Sequence, residues 1–412
     1  MSKPRTRCRS CDAPLDAPFL DLGPTPLANS YLRPADLSKS EPFYPLEVHV
    51  CPGCFLVQVP VVESPAAIFG DYAYFASYST TWLEHMEAYA ARMVEKLALG
   101  PESLVIELAS NDGYLLQFFK RRRVPVLGVE PARNVARAAE AAGIPTLVEF
   151  FGPPVASRLA SEGRRADLLV ANNVLAHVPD LNGFVSGIST VLKPHGLATL
   201  EFPHLLRLIE EHQFDTIYHE HFSYFALSVV RAVFARHGLS VVDVEELPTH
   251  GGSLRVHARH AEAAPAASER VEALVAREAS AGLGRVERYA AFAEEVRETK
   301  RALLDFLVAE KRKKASIVGY GAPAKGNTLL NYCGVRTDFL DYTVDRSPHK
   351  QGLYLPGTRI PIHPPDRIAE TKPDYVLILP WNLKDEIMQQ MSVVRQWGGR
   401  FVVPVPDVRV YA

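Results

Sequence analysis

Residues able to do chemistry gather at three places in this chain. The first is a pair of Cys-x-x-Cys motifs, Cys8 with Cys11 and Cys51 with Cys54, with 39 residues between them. Two such knuckles can close on one tetrahedral Zn²⁺, and four thiolates fill every coordination position, so the metal would be structural and would stand in for the core that this short segment lacks. A redox role fits less well, because neither pair opens a helix after a strand. The fifth cysteine, Cys333, reads as a buried apolar residue. The second place is Glu107-Leu108-Ala109-Ser110-Asn111-Asp112-Gly113. An acidic residue at a strand end, a tight polar turn and a glycine opening a helix let an adenosyl ligand approach the backbone. Glu130, 17 residues beyond Gly113, ends the next apolar run, where its carboxylate can accept from both ribose hydroxyls; Phe150 and Phe151 can wall an adenine.

The third place is Phe214-Asp215-Thr216-Ile217-Tyr218-His219-Glu220-His221-Phe222-Ser223-Tyr224-Phe225. Histidine is the general base suited to neutral pH, a neighbouring carboxylate raises its basicity, and tyrosine can donate to a developing oxyanion. A metal role for His219 and His221 with Glu220 is weaker, since the thiolates house a zinc better. Asn172, Asn173 and His177 come to the same edge from the end of another run, and Tyr72, Tyr74 and Tyr78 stand where a lid could fold over.

These groups need a scaffold, and 412 residues are enough for two or three domains. Lys plus Arg is 45 against 47 Asp plus Glu, so no electrostatic case for a nucleic-acid partner arises. With 47% hydrophobic and 22% charged residues the chain is neither disordered nor membrane-spanning by composition. The first residues lead into Cys8 without an apolar signal region, and a cytoplasmic location is expected. Residues 1–70 read as a small zinc-binding module. Over 71–265 the runs Ser103–Leu108, Val124–Val129, Ala166–Ala171 and Gly196–Glu201 alternate with helical stretches, which predicts a parallel α/β sheet; Leu239–Val244 and Ser253–Ala258 add a hairpin at its edge. That arrangement is the one expected of a Rossmann-like methyltransferase domain. Residues 266–412 begin with a long helix over 268–314, with Val286, Tyr289, Phe292, Val296, Leu303 and Phe306 at helical spacing, and its Lys311-Arg312-Lys313-Lys314 end faces water. A second α/β unit follows. Its Gly319-x-Gly321-x-x-x-x-Gly326 lacks the G-x-G-x-x-G spacing, so although Asp345 stands where a dinucleotide domain holds its ribose, a structural or phosphate-contacting turn is favoured over bound NAD.

Five ordered segments, Asp21–Asn29, Glu107–Gly113, Tyr218–Phe225, His250-Gly251-Gly252-Ser253-Leu254-Arg255 and Gly319–Gly326, together resemble the three-domain sugar C-methyltransferases, typified by the nucleotide-linked deoxysugar C-3′-methyltransferases. The resemblance spans nearly the whole chain. It implies an α/β protein with a Rossmann-like class I methyltransferase domain flanked by a zinc-binding domain and a C-terminal Rossmann-like domain. It also implies S-adenosylmethionine as methyl donor and a nucleotide-diphosphate 4-keto-deoxysugar as acceptor. The family's zinc ligands fall on Cys8, Cys11, Cys51 and Cys54, its catalytic base on His221 with Tyr218 and Glu220 beside it, His177 toward the keto oxygen, and a pocket tyrosine on Tyr74. Donor contacts are expected from Glu107, Asn111, Gly113, Glu130, Phe151 and Asn172. The family usually has glycine where this chain has Ala109. Two other readings are methylation of a sugar oxygen or amine, and a zinc-ribbon interaction module fused to a degenerate nucleotide fold.

Overall fold

The computed structural model describes residues 7–70, 75–78 and 80–412. In the first module, strands β1 (Leu20–Thr25), β2 (Tyr44–Val50) and β3 (Val57–Gln58) pair antiparallel. Leu20, Leu22, Leu46 and Val48 are buried on one face, the alternation a one-sided sheet demands.

The middle sheet is built from β4 (Val105–Leu108), β5 (Val126–Val129), β6 (Thr146–Leu147), β7 (Ala166–Asn172) and β8 (Leu192–Pro203). Strand β4 is buried at every position because helices cover both faces of a parallel sheet. After β9 (Ser223–Tyr224), the hairpin β10 (Leu239–Leu247) and β11 (Ser253–His260) closes the edge antiparallel, in the order β10-β11-β8-β7-β4-β5-β6. The order reverses between β4 and β7, so the ends of those two strands form the crevice where open α/β sheets bind ligands. Strand β9 does not join this sheet. It pairs with β3, Val57 against Tyr224 and Gln58 against Ser223, and so completes the sheet of the zinc module.

The last unit has β12 (Ile317–Tyr320), β13 (Thr343–Val344), β14 (Ile362–His363), β15 (Tyr375–Ile378), β16 (Arg400–Val403) and β17 (Arg409–Tyr411), ordered β14-β13-β12-β15-β16-β17 with only β17 antiparallel. The single long helix expected over 268–314 is instead two, Glu269–Ser280 and Val286–Arg312. Gly282, in the left-handed region at φ 85°, ends the first, because only glycine takes that turn without strain. Val286 then opens the second helix half exposed, while Tyr289, Phe292, Val296 and Leu303 are buried as expected. Lys313 faces water and pairs with Glu310, as expected of that basic end. The first half of the Gly319–Gly326 segment is a tightly held turn. Asp345 Oδ2 accepts the Ala322 N–H at 2.8 Å, the Ala322 carbonyl accepts from Tyr31 and Lys350, and Gly321 at φ 88° lies where a Cβ would meet Pro380 at 2.5 Å. Among the described residues no helix is long and apolar enough to cross a membrane.

Candidate active site

The four thiols form one cluster. Cys8 Sγ lies 3.5 Å from Cys54 Sγ and Cys11 Sγ 3.5 Å from Cys51 Sγ, all four within 4.8 Å of one another. A tetrahedral Zn²⁺ with Zn–S of about 2.3 Å needs sulfurs roughly 3.8 Å apart, so the set fits zinc with no open position. Gln58 Nε2 donates to Cys8 Sγ at 3.3 Å, which ties the metal site to β3, the strand that receives β9.

At the sheet crevice, β4 carries Glu107 one residue before its end and β7 ends in Asn172, both buried. The loop after β4 alternates in and out of the left-handed region, with Ala109 at φ 53°, Asn111 at 50° and Gly113 at 79°. Gly113 is required twice over, since a Cβ there would also lie 2.9 Å from Ile144 Cγ1. Glu130 holds this loop in shape, accepting the Asn111 N–H at 2.9 Å through one oxygen and the Ala132 N–H at 2.8 Å through the other. Asn111 Oδ1 accepts from the Ala76 and Asp112 amides, and Asp112 Oδ2 from Ser77, so the segment 75–78 is stitched onto the loop. What remains is a set of buried acceptors short of donors: the Glu107 carboxyl, which faces the Tyr114 hydroxyl, with Asp112 Oδ1, Asn172 Oδ1 and Asn173 Oδ1. Burial pushes the Glu107 carboxyl well above its usual range. Orphaned buried acceptors carry a penalty that a ligand's donors relieve. An ammonium and ribose hydroxyls supply such donors, so S-adenosylmethionine fits these residues. Phe151 packs edge-on against Phe184, 5.5 Å between ring centres, while Phe150 is exposed.

The histidine-rich stretch is held by all three modules. Val59 N–H donates to the Phe222 carbonyl, Phe222 N–H to Ala176, and Thr328 Oγ1, on the helix Ala324–Cys333, to Ile217. His221 Nδ1 faces the Thr216 carbonyl at 2.9 Å and must carry the proton, which leaves Nε2 as an acceptor, 3.0 Å from the Tyr218 hydroxyl. His177 stands 4.7 Å from His221, ring centre to ring centre, and its Nδ1 donates to the Glu220 carbonyl at 2.7 Å, so its Nε2 is likewise an acceptor. Burial lowers both imidazoles: His177 to about 4, and His221 well below the usual value, with His177 adding to the effect. The Glu220 carboxylate turns the other way. Both of its oxygens accept from Asn29 Nδ2 of the first module at 2.8 Å, and burial lifts it to about 7. His219 points into the first module, toward the Pro45 carbonyl, and takes no part in the cleft.

Of the residues singled out from sequence, His177, Tyr218 and His221 are brought together, and Glu107, Asn111, Gly113, Glu130 and Asn172 form the crevice. Glu220 acts on His177 through its main chain and not on His221 through its carboxylate. Tyr72 and Tyr74 lie outside the described residues. Sequence reasoning gave no role to Lys325 or to His250, although both sit in quoted motifs; the signal was there in His250-Gly251-Gly252, where φ is 56°, 92° and 117° in succession. It also passed over the fully buried pair of Glu201 and Arg255, 2.7 Å apart, with the Arg255 guanidinium 4.4 Å over Tyr89.

A zinc binding domain family matches residues 8–69, a methyltransferase domain family residues 82–244, and the C-methyltransferase C-terminal domain family residues 248–406. The C-methyltransferase NovU of Streptomyces niveus is 38% identical over 411 residues, 99% of this chain and 97% of that one. A ubiquinone biosynthesis O-methyltransferase of Methylobacterium sp. (strain 4-46) is 32% identical over 28% of this chain and 48% of its own length. Among solved structures, magnesium protoporphyrin IX methyltransferase (ChlM) of Synechocystis PCC 6803 with bound SAM is 15% identical with a TM-score of 0.33, covering 47% of this chain and 88% of that one. The 38% identity to NovU, running nearly end to end, together with the three family matches, leaves one assignment: the chain belongs to the three-domain, S-adenosylmethionine-dependent C-methyltransferases that carry an N-terminal zinc-binding domain.

Proposed function

We propose that this enzyme methylates a carbon next to the ketone of a nucleotide-diphosphate 4-keto-deoxysugar, through an enolate. The observation that supports this best is the His221 imidazole, with its tautomer fixed by the Thr216 carbonyl and a lone pair presented at Nε2 beside Tyr218. A carbon beside a ketone is acidic because its carbanion delocalises onto oxygen, so a positioned base creates a carbon nucleophile. S-adenosylmethionine, bound over Glu107, Asn111, Gly113, Glu130 and Asn172, supplies an electrophilic methyl group. His221 takes the α-proton once the Tyr218 hydroxyl turns from Nε2 to the substrate oxygen. His177 was expected to serve the keto oxygen, but as a neutral ring whose Nδ1 proton is committed to Glu220 it offers that oxygen no hydrogen. We assign it to receiving a substrate hydroxyl and to keeping the His221 ring in place. Glu220 fixes the Asn29 loop over the acceptor.

Methylation of a sugar oxygen or amine would need no α-proton removal. Incubation of a panel of keto-sugar nucleotides with enzyme and S-adenosylhomocysteine in deuterated water separates the two. Deuterium at the carbon next to the ketone, together with a 14 Da gain with the donor that survives borohydride reduction and acid hydrolysis on carbon, is expected. Methyl transfer to oxygen or nitrogen without exchange would sink the reading.

A further inference from the structure

An enolate places a full negative charge on oxygen. Among the described residues both His221 and His177 give their ring proton to the main chain, and the Tyr218 hydroxyl beside them is a neutral donor. Lys325 stands where a cation is missing. It lies one helical turn before Thr328, the residue that docks the helix Ala324–Cys333 on the Ile217 carbonyl. Its ammonium sits 4.5 Å over the Trp381 ring and gives one hydrogen bond, of 2.7 Å, to Asn382 Oδ1.

The partner it declines is informative. Asp215, fully buried, accepts the Trp381 Nε1–H at 2.7 Å through Oδ2 and faces the main-chain N–H groups of Asp215 and Thr216, yet among the described residues Lys325 makes no ion pair within 4.0 Å. Holding a buried carboxylate and a buried ammonium near each other without pairing them is costly. The cost is intelligible if that ammonium is held for another anion. Trp381 carries it to the acceptor side, because the same indole packs on the His250–Gly252 loop, where a Cβ on Gly251 would lie 2.7 Å from it. His250 in turn stands edge-on to Trp82, 5.7 Å away, on the donor side beside Tyr114. The positive charge of Lys325 is felt by both His221 and His250, lowering each. The groups facing Lys325 are therefore Asp215, His221 and His250 from the middle module and Trp381 and Asn382 from its own.

Resting on the enolate reading above, we propose that Lys325 is a catalytic residue whose ammonium donates to the acceptor's keto oxygen and carries the negative charge as the enolate forms. The base takes the α-proton, and the C–H electron pair moves into the C–C bond as the carbonyl pair moves onto the oxygen beside Lys325. The enolate carbon then bonds to the methyl carbon, the S–CH₃ pair returns to sulfur to give S-adenosylhomocysteine, the carbonyl re-forms, and the base releases its proton to water.

The test compares wild type, Lys325→Met, Lys325→Arg and Lys325→Ala, using the 4-ketohexose nucleotide that the wild-type enzyme methylates. Lys325→Met should lower both kcat and the deuterium exchange seen with S-adenosylhomocysteine by about 10²–10³-fold, the usual loss for one oxyanion donor. Acceptor KM and the Kd for S-adenosylmethionine should stay within a few-fold. Lys325→Arg should recover part of the exchange, and ethylammonium should restore exchange to Lys325→Ala, which a merely structural lysine would not allow. Wild-type exchange in Lys325→Met and Lys325→Ala overturns the inference while the enolate reading stands. A loss confined to acceptor KM also overturns it, since Lys325 would then anchor the diphosphate. Absence of exchange in the wild type brings down the enolate reading and this inference with it.

Discussion

At the scale of single residues, the imidazole of His221 sets the pH behaviour. Its pKa is depressed by burial and by neighbouring His177, His250 and Lys325, so the lone pair persists as pH falls below the ordinary histidine value and is lost only on passing the depressed pKa. The acid limb of kcat against pH is therefore expected below 6.5, and an acid limb above that value would contradict the assignment. His221→Asn should lower kcat by about 10²–10⁴-fold while the Kd for S-adenosylmethionine, measured by titration calorimetry, stays within a few-fold. Ala109 tells a different story. It holds φ 53°, a conformation that costs a residue with a Cβ about 1–2 kcal/mol. The family's glycine at this position now has a physical reason, and Ala109→Gly should raise the free energy of unfolding in urea by about 1 kcal/mol. Residue types at the site were legible from the chain, whereas the roles of His177 and Glu220 were not, because which nitrogen holds a proton depends on a carbonyl placed by the fold.

At the scale of elements, the turn between β4 and its helix does the positioning. Gly113 combines a left-handed φ with a close approach to Ile144, so Gly113→Ala should cost about 1–2 kcal/mol of stability and weaken donor binding by at least tenfold, read by thermal unfolding and calorimetry on the same preparation. Long apolar runs such as Ala166–Asn172 could be read directly, since a strand buried on both faces writes itself as continuous hydrophobicity. Strands β9, β14 and β17 could not. They have two, two and three residues, and their pairing is decided by partners far away in the chain. The break at Gly282 was visible as a glycine but was overrun by the alanine-rich, helix-favouring sequence on either side.

For the whole molecule, the metal and the chemistry are mechanically linked although no cysteine touches the cleft. The thiol cluster fixes β3, β3 pairs with β9, and β9 begins two residues after His221. Stripping zinc with a thiol-directed reagent and chelator should therefore reduce methyl transfer by at least tenfold, the usual scale when a reacting group drifts out of register. The Kd for S-adenosylmethionine should change little, and re-added Zn²⁺ should restore turnover. Equal loss of donor affinity would show that the first module supports the crevice as well. The overall three-part layout was plain from ordered motifs; the sharing of a sheet between parts was not, because a two-residue strand leaves no periodicity to read. That sharing constrains ancestry and engineering alike. A chimera joining the first seventy residues of one homologue to the remainder of another inherits half of a ladder from each parent. Recombination can succeed only where both halves still recognise each other, so an exchange of the first part has to carry a matching β9 with it.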